Sequence, residues 1–232
     1  MKILIPILFA FALLTTPGQA GRSFVRASNQ FIECSTAAVT AYPITLSGWF
    51  KTDDLTVNQV VVANATSGTG VGVYLIVRGV TAGDPLSATD YDGSTSAQAN
   101  SGGSLSTNTW YHGGAVFNGA SSRDVFLNGT KTSNTTTTST NLAGTDRTNI
   151  GALISTNSHF SGNLAEIAIW NVALTDAEMA ILATGVSPLR VRPSALVFYA
   201  PIWTDIFDYV GKKTLVNQNS TSAVADHPIR YR

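Results

Sequence analysis

The chain has 232 residues, and its 14 basic and 14 acidic side chains cancel to a formal charge of zero. Hydrophobic residues make up 44%, enough for a core and too many for a disordered chain, and the length suits one large β domain better than two full domains. Charged residues are only 12% against a usual share of about 25%, and with no clustered Lys or Arg this neutral balance argues against phosphate-driven nucleic-acid binding.

Residues 1–20 read as a segment apart. Met1-Lys2 supplies one positive charge, Ile3 to Leu14 is an almost unbroken apolar run, and Gly18 and Ala20 stand where a signal peptidase reads small residues. As a helix the run is about 18 Å long, short of a bilayer core of about 30 Å. The expectation is a cleavable export signal, with cleavage after Ala20 and a secreted protein; the alternative is a buried N-terminal strand or an arm docked on a partner. No later segment is long and apolar enough to span a membrane, so none is expected once the signal is removed. Export makes the Asn-x-Ser/Thr triplets at Asn64, Asn128, Asn134 and Asn219 chemically relevant, although such triplets arise by chance in an Asn- and Thr-rich chain.

Short β-branched and aromatic runs bounded by turn residues follow almost without interruption. They predict strands at 24–27, 31–34, 44–51, 59–64, 71–78, 110–117, 124–127, 148–154, 162–170 and 196–201. In the third of these Ile44, Leu46, Gly48 and Phe50 alternate to one face and Trp49 to the other, which suggests a strand covered on both sides. Asn128-Gly129 is a hairpin signal of the I′ type. The Thr-, Ser- and Asn-rich run 130–141 reads as a hairpin strand and then a loop. Segments 81–103 and 118–124 are rich in Gly, Ser and Asp and read as loops at the rim, where binding groups usually sit.

One stretch reads as helix. Thr175-Asp176-Ala177-Glu178 is a capping box, Gly185 follows at the position of a C-terminal cap and Pro188 forbids resumption, which predicts a helix over 176–184. Beyond Trp203 the tail adds Ile206, Phe207, Tyr209, Val210, Leu215 and Val216, able to close an edge of its own subunit or to dock on a neighbour.

The ordered combination of Ile44-Thr45-Leu46-Ser47-Gly48-Trp49-Phe50-Lys51, Asn108-Thr109-Trp110-Tyr111-His112, Phe126-Leu127-Asn128-Gly129, Asn149-Ile150-Gly151-Ala152, the run from Phe160 to Asn171 and Ala173-Leu174-Thr175-Asp176-Ala177-Glu178 carries a family resemblance. It resembles the laminin-G-like branch of the concanavalin A-like jelly rolls, in the single-domain form common in phage, prophage and environmental bacterial sequences. The resemblance spans roughly residues 22–202. It implies an all-β, antiparallel two-sheet jelly-roll sandwich with one short helix, in a layout of signal-like segment 1–20, domain 21–203 and tail 204–232. In that sandwich Trp110 and Trp170 are expected to anchor the core between the sheets. Glu166 is expected among apolar neighbours with a structural partner such as a backbone amide or an Arg.

Catalysis finds little support. Glycoside hydrolysis needs two carboxylates about 5–10 Å apart, yet the three glutamates, Glu33, Glu166 and Glu178, stand away from other acids on any strand. Asp90 and Asp92, flanking Tyr91, are the one acid pair of interest, and an Asp-rich turn before Gly93 explains them as well. The same run echoes part of a calcium loop without its later bidentate glutamate, so no cofactor is expected and calcium stays a minor alternative. His112 reads as a packed strand residue, and His159 and His227 lie outside any catalytic pattern. Cys34 is most simply a buried small hydrophobe with no partner for a disulfide.

The resulting expectation is a non-enzymatic recognition or adhesion module that binds glycan or a surface protein. Asp90, Tyr91 and Asp92 are its candidate ligand residues, the ring for stacking and the carboxylates for hydroxyls. The alternative is a phage virion component, such as a capsid decoration or tail-associated protein on the virion surface, anchored to the shell or to copies of itself.

Overall fold

The computed structural model describes residues 21–153 and 158–225; the export-signal expectation and His227 lie outside these residues. The described strands are β1 (Gly21–Phe24), β2 (Phe31–Cys34), β3 (Ile44–Thr52), β4 (Asn58–Ala65), β5 (Gly72–Arg78), β6 (Leu86–Tyr91), β7 (Ser96–Asn100), β8 (Tyr111–Gly119), β9 (Ser122–Leu127), β10 (Thr130–Asn134), β11 (Arg147–Ile150), β12 (Gly162–Trp170), β13 (Leu196–Ala200), β14 (Val216–Gln218) and β15 (Ser222–Val224). They form two antiparallel sheets. An eight-stranded sheet runs β10-β9-β8-β3-β12-β1-β15, with β13 also paired to β12, and a seven-stranded sheet runs β14-β2-β11-β4-β5-β6-β7. The expected all-β sandwich is present.

The two inner faces close on one core, where Phe24, Ile32, Ile44, Leu46, Phe50, Leu75, Phe117, Phe160 and Phe198 are each exposed by 1% or less. The period-two reading of 44–50 holds: Ile44, Leu46 and Phe50 point into this core, while Trp49 leaves by the other face and meets His112 edge-on at 5.3 Å. The β9–β10 hairpin turns through Asn128 (φ 49°) and Gly129 (φ 81°), the two left-handed positions that an I′ turn requires.

The helix α1 (Asp176–Ala183) has the expected capping box in both directions: the Thr175 side chain accepts from the Glu178 amide, and the Glu178 carboxylate accepts from the Thr175 amide at 2.7 Å. It covers the outer face of the eight-stranded sheet. Met179 and Leu182 lie with Val116, Phe126, Ala168 and Trp170 in a second apolar cluster. The helix sits so close that a Cβ at Gly114 would lie 1.9 Å from Met179 Cε.

Two expectations need correcting. Trp170 is fully buried but belongs to this second cluster under α1, with Nε1 donating to the Val191 carbonyl at 2.8 Å. Trp110 is only partly buried at the rim, beneath the Lys51 ammonium, so neither indole lies between the sheets. For Trp170 the reason is a bulge in β12 between Ala165 and Ala168, where Glu166 takes φ 57°. The extra residue switches parity, so Leu164 and then Ile167 and Ile169 all face the core and Trp170 is turned outward. Second, nearly half of segment 81–103 is sheet: β6 and β7 bury Leu86, Ala88, Ala97 and Ala99. Glu166 has structural partners as expected, among them two aromatic donors, the Tyr199 hydroxyl at 2.6 Å and the Trp203 indole at 2.8 Å.

The tail packs on its own subunit. β14 adds to β2 and β15 to β1, one strand for each sheet. Buried Asp208 accepts from the amides of Tyr199, Val210, Gly211 and Lys213, and the Arg22 guanidinium reaches Thr221, Trp203 and Thr204. Asn64, first residue of one triplet, is wholly buried and bonded to Val39, which closes it to glycosylation.

Replacing Trp170 by Ala removes the largest ring under α1 and its indole bond, and should cost about 3–5 kcal/mol in denaturant unfolding. A change below about 1 kcal/mol would show that the helix does not depend on this indole.

Candidate functional site

On β5 and β6 alternate residues divide between the two faces of the seven-stranded sheet. Val73, Leu75 and Val77 enter the core; Tyr74, Ile76 and Arg78 face outward, where Thr89 and Tyr91 of β6 and Ser96 and Gln98 of β7 join them. The register Asn58↔Arg78, Tyr74↔Thr89, Thr89↔Gln98 and Tyr91↔Ser96 makes these side chains neighbours. They line an open cleft of about 230 Å³, with Leu153 and Ser158 at one wall.

The floor is apolar. Tyr74 and Ile76 pack with Val60, Ala63, Ala65 and Leu153, and Tyr91 leans on the same cluster. Both phenols are anchored: Tyr74 donates to the Gly70 carbonyl and Tyr91 to the Gly93 carbonyl at 2.8 Å. Burial pushes the Tyr74 phenol well above its ordinary pKa, so it remains neutral. The rings are thus fixed surfaces rather than mobile ones. By contrast, Asn58 Oδ1 and Arg78 Nε are shielded from solvent and have no hydrogen-bond partner among the described residues. No carboxylate lines the cleft among those residues.

Asp90, Tyr91 and Asp92 do not come together as one surface. Tyr91 is in the cleft. Asp90, one residue earlier, points to the opposite face and is wholly buried, accepting from the Tyr42 hydroxyl at 2.7 Å and from Thr138 Oγ1 at 3.1 Å. The fully buried Arg123 guanidinium stands 4.0 Å away, itself held by Asn134 and the Ala120 carbonyl. Burial and the adjacent carboxylate raise the Tyr42 phenol, which stays a donor. Asp92 lies at the surface just beyond β6, where it accepts from the amides and hydroxyls of Ser94 and Thr95 and from the Ser139 amide. Those amides hold its carboxyl well below the usual range. The two carboxylates therefore pin the β6–β7 turn to the loop 138–140.

Among the described residues no group of three or more His, Cys, Asp and Glu is arranged to hold a metal ion. Cys34 is buried with its Sγ 3.3 Å from Thr36 Oγ1. His159 is buried edge-on against Phe31. His112 is buried with Nε2 3.0 Å from Ser47 Oγ, and its Nδ1 has no partner among the described residues. Of the residues lining this cleft, sequence reasoning singles out Tyr91 and not Tyr74, Arg78 or Asn58. The signal for Tyr74 and Arg78 is the alternation along 72–78, which reads equally well as one buried run.

A two-sheet antiparallel jelly roll with a shallow aromatic cleft on one sheet face has the architecture of a concanavalin A-like sandwich. Residues 26–180 match the laminin-G-type family model described as the concanavalin A-like lectin/glucanases superfamily, and the chain belongs to that superfamily. The fold is similar to that of a native heptameric SAP-like pentraxin from Limulus polyphemus, with TM-score 0.67 and 14% identity over 90% of this chain and 96% of that one. It is also similar to a Bacteroides ovatus protein provisionally described as carbohydrate-binding, with TM-score 0.65 and 19% identity over 91% of this chain and 61% of that one. Domain 4 of an extracellular arabinanase from Geobacillus stearothermophilus, solved with arabinotriose, gives TM-score 0.56 and 19% identity over 66% and 72% of the two chains. At these identities the likeness is one of fold. No curated protein sequence matches the chain.

Burial lowers the His112 pKa to about 3, whereas the unfolded imidazole titrates near about 6.5. Between those values the unfolded chain binds a proton that the folded one does not. Stability should therefore fall as pH drops from about 6.5 to about 3. In His112→Gln, urea unfolding over this range should show a shallower pH dependence. An unchanged slope would remove His112 as its source.

Proposed function

We propose that the chain is a non-catalytic glycan-binding domain whose ligand lies in the cleft of the seven-stranded sheet. The observation that carries this reading is the cleft's composition: two anchored tyrosine rings beside an amide and a guanidinium that lack protein partners among the described residues. Sugars offer an apolar ring face for stacking and hydroxyls for such groups, and a rigid aromatic floor takes little ordering on binding. The arabinotriose complex of the Geobacillus domain and the carbohydrate-binding description of the Bacteroides protein support it as precedents on the same fold. Hydrolysis is disfavoured because glycoside cleavage normally needs two carboxylates flanking the bond, and none lines this cleft among the described residues. Within this reading Tyr91 is the ligand residue, and Asp90 and Asp92 hold the turn that presents it.

Screening residues 21–232 on an array of oligosaccharides, followed by calorimetry on the best ligand, tests the site. Tyr91→Ala should weaken binding about tenfold or more without lowering the melting temperature appreciably. Asp90→Ala should act on stability instead, by about 3 kcal/mol or more, because it leaves the buried Arg123 uncompensated. Full affinity in Tyr91→Ala would move the ligand elsewhere.

We also propose that the protein is exported, with residues 1–20 as the removed signal. The positive charge at Lys2, the short apolar run Ile3 to Leu14 and the small residues Gly18 and Ala20 support this reading. Mass spectrometry of native protein should find Gly21 at the N-terminus; retained Met1 would overturn it.

A further inference from the structure

The cleft carries a feature that a neutral sugar does not need. Arg78 is the one charged residue that lines it among the described residues. Several other arginines are employed: Arg22 bonds oxygens of Trp203, Thr204 and Thr221, Arg26 pairs with Asp54, Arg123 stands by Asp90, Arg147 pairs with Glu33 and Arg192 with Glu178. The Arg78 guanidinium has no hydrogen bond or ion pair with any described residue, and its Nε is sealed from solvent. Desolvation with no opposing charge lowers its pKa. Directly across the β4–β5 register, the Asn58 side-chain oxygen is also sealed and lacks a donor among the described residues.

A half-buried cation without a counter-charge is costly, and an anion that enters the cleft removes that cost. The guanidinium fork matches a planar carboxylate through two parallel N–H···O bonds. A hydroxyl beside that carboxylate supplies the donor that Asn58 lacks, and the face of the same or the next sugar meets Tyr91. Building on the glycan-binding reading of this site, we propose that the cleft selects glycans bearing a carboxylate, as uronic or sialic acid residues do, with Arg78 binding the anion and Asn58 reading an adjacent hydroxyl. Arg78 then sets specificity, while Tyr74 and Tyr91 supply contact that acidic and neutral sugars share.

The test compares matched pairs by calorimetry: trigalacturonate against its methyl ester, and 3′-sialyllactose against lactose. The first pair reads the uronic source of the carboxylate and the second the sialic source. In wild type the acidic member of at least one pair should bind about tenfold or more tighter, with the advantage shrinking as salt is raised. Arg78→Met should erase that advantage, and Arg78→Lys should keep a part of it. Because the Arg78 guanidinium makes no hydrogen bond or ion pair with the described residues, both variants should melt near the wild-type temperature. The wild-type comparison also stands if either variant folds poorly. Equal binding of both members of each pair, or an acidic preference that survives in Arg78→Met, overturns the role of Arg78 but leaves a glycan in the cleft. Absence of binding to every acidic and neutral oligosaccharide on the array overturns the glycan reading itself, and this proposal with it.

Discussion

The bulge in β12 is the constraint around which the rest of the sandwich is arranged. This strand sits in the middle of the eight-stranded sheet, paired with β1, β3 and β13, so its side chains must serve the inter-sheet core and the surface under α1 together. A regular strand sends residues of one parity to one face. Leu164 and Ile167 differ in parity, yet both enter the core, because Glu166 in the left-handed region inserts one residue between them. From that point Ala168 and Trp170 face the helix. The backbone cost of φ 57° at a non-glycine residue is held by what surrounds it: the Glu166 amide donates to the Pro201 carbonyl and its carboxylate takes two aromatic donors. A single irregular residue thereby gives one strand two cores.

The seven-stranded sheet solves a different problem. Among the described residues its outer face carries no helix over β5 to β7, and so it shows mixed chemistry: Tyr74 and Ile76 cover the apolar floor, while Thr89, Ser96 and Gln98 line the open side. The buried charge on its inner side is tied off locally. Asp90 sits among Tyr42, Thr138 and Arg123 and holds β6 to β9 of the other sheet and to the loop before β11. Removing ionic groups from the outer cleft and burying one pair inside leaves Arg78 as the cleft's charged group among the described residues.

Much of the architecture is legible in the sequence because the large strands advertise themselves. β3, β5, β8 and β12 are rich in β-branched and aromatic residues at period two, and the capping box at Thr175 marks α1. β6 and β7 resemble loop for a physical reason. Their inward positions are Leu86, Ala88, Asp90, Ala97 and Ala99, where small residues and a charge stand in place of Val or Ile. An inward Asp looks like turn chemistry until its partners are known, and Arg123 and Thr138 lie far along the chain from it. The two tryptophans mislead in the opposite sense, since ring size signals burial but not which face is buried. In the cleft, Tyr91 is visible as an aromatic near a turn. Tyr74 and Arg78 are hidden inside a run whose other parity fills the core. Nothing local distinguishes an outward Tyr that lines a cleft from one that merely covers a sheet.

The closing of the two sheets by β14 and β15 has a kinetic consequence. The first strands, β1 and β2, find their outer neighbours only in the last strands described, with Gly21 opposite Val224 and Glu33 opposite Val216. Contacts of such high sequence separation form late, because a long loop must close before any bond across it counts. A nascent chain emerging from the ribosome can build hairpins such as β8–β9–β10 from local pairs, but the outer edges of β1 and β2 remain unpaired until those last strands have been made. Among the described pairings, the outer edges of β1 and β2 are therefore the last to close.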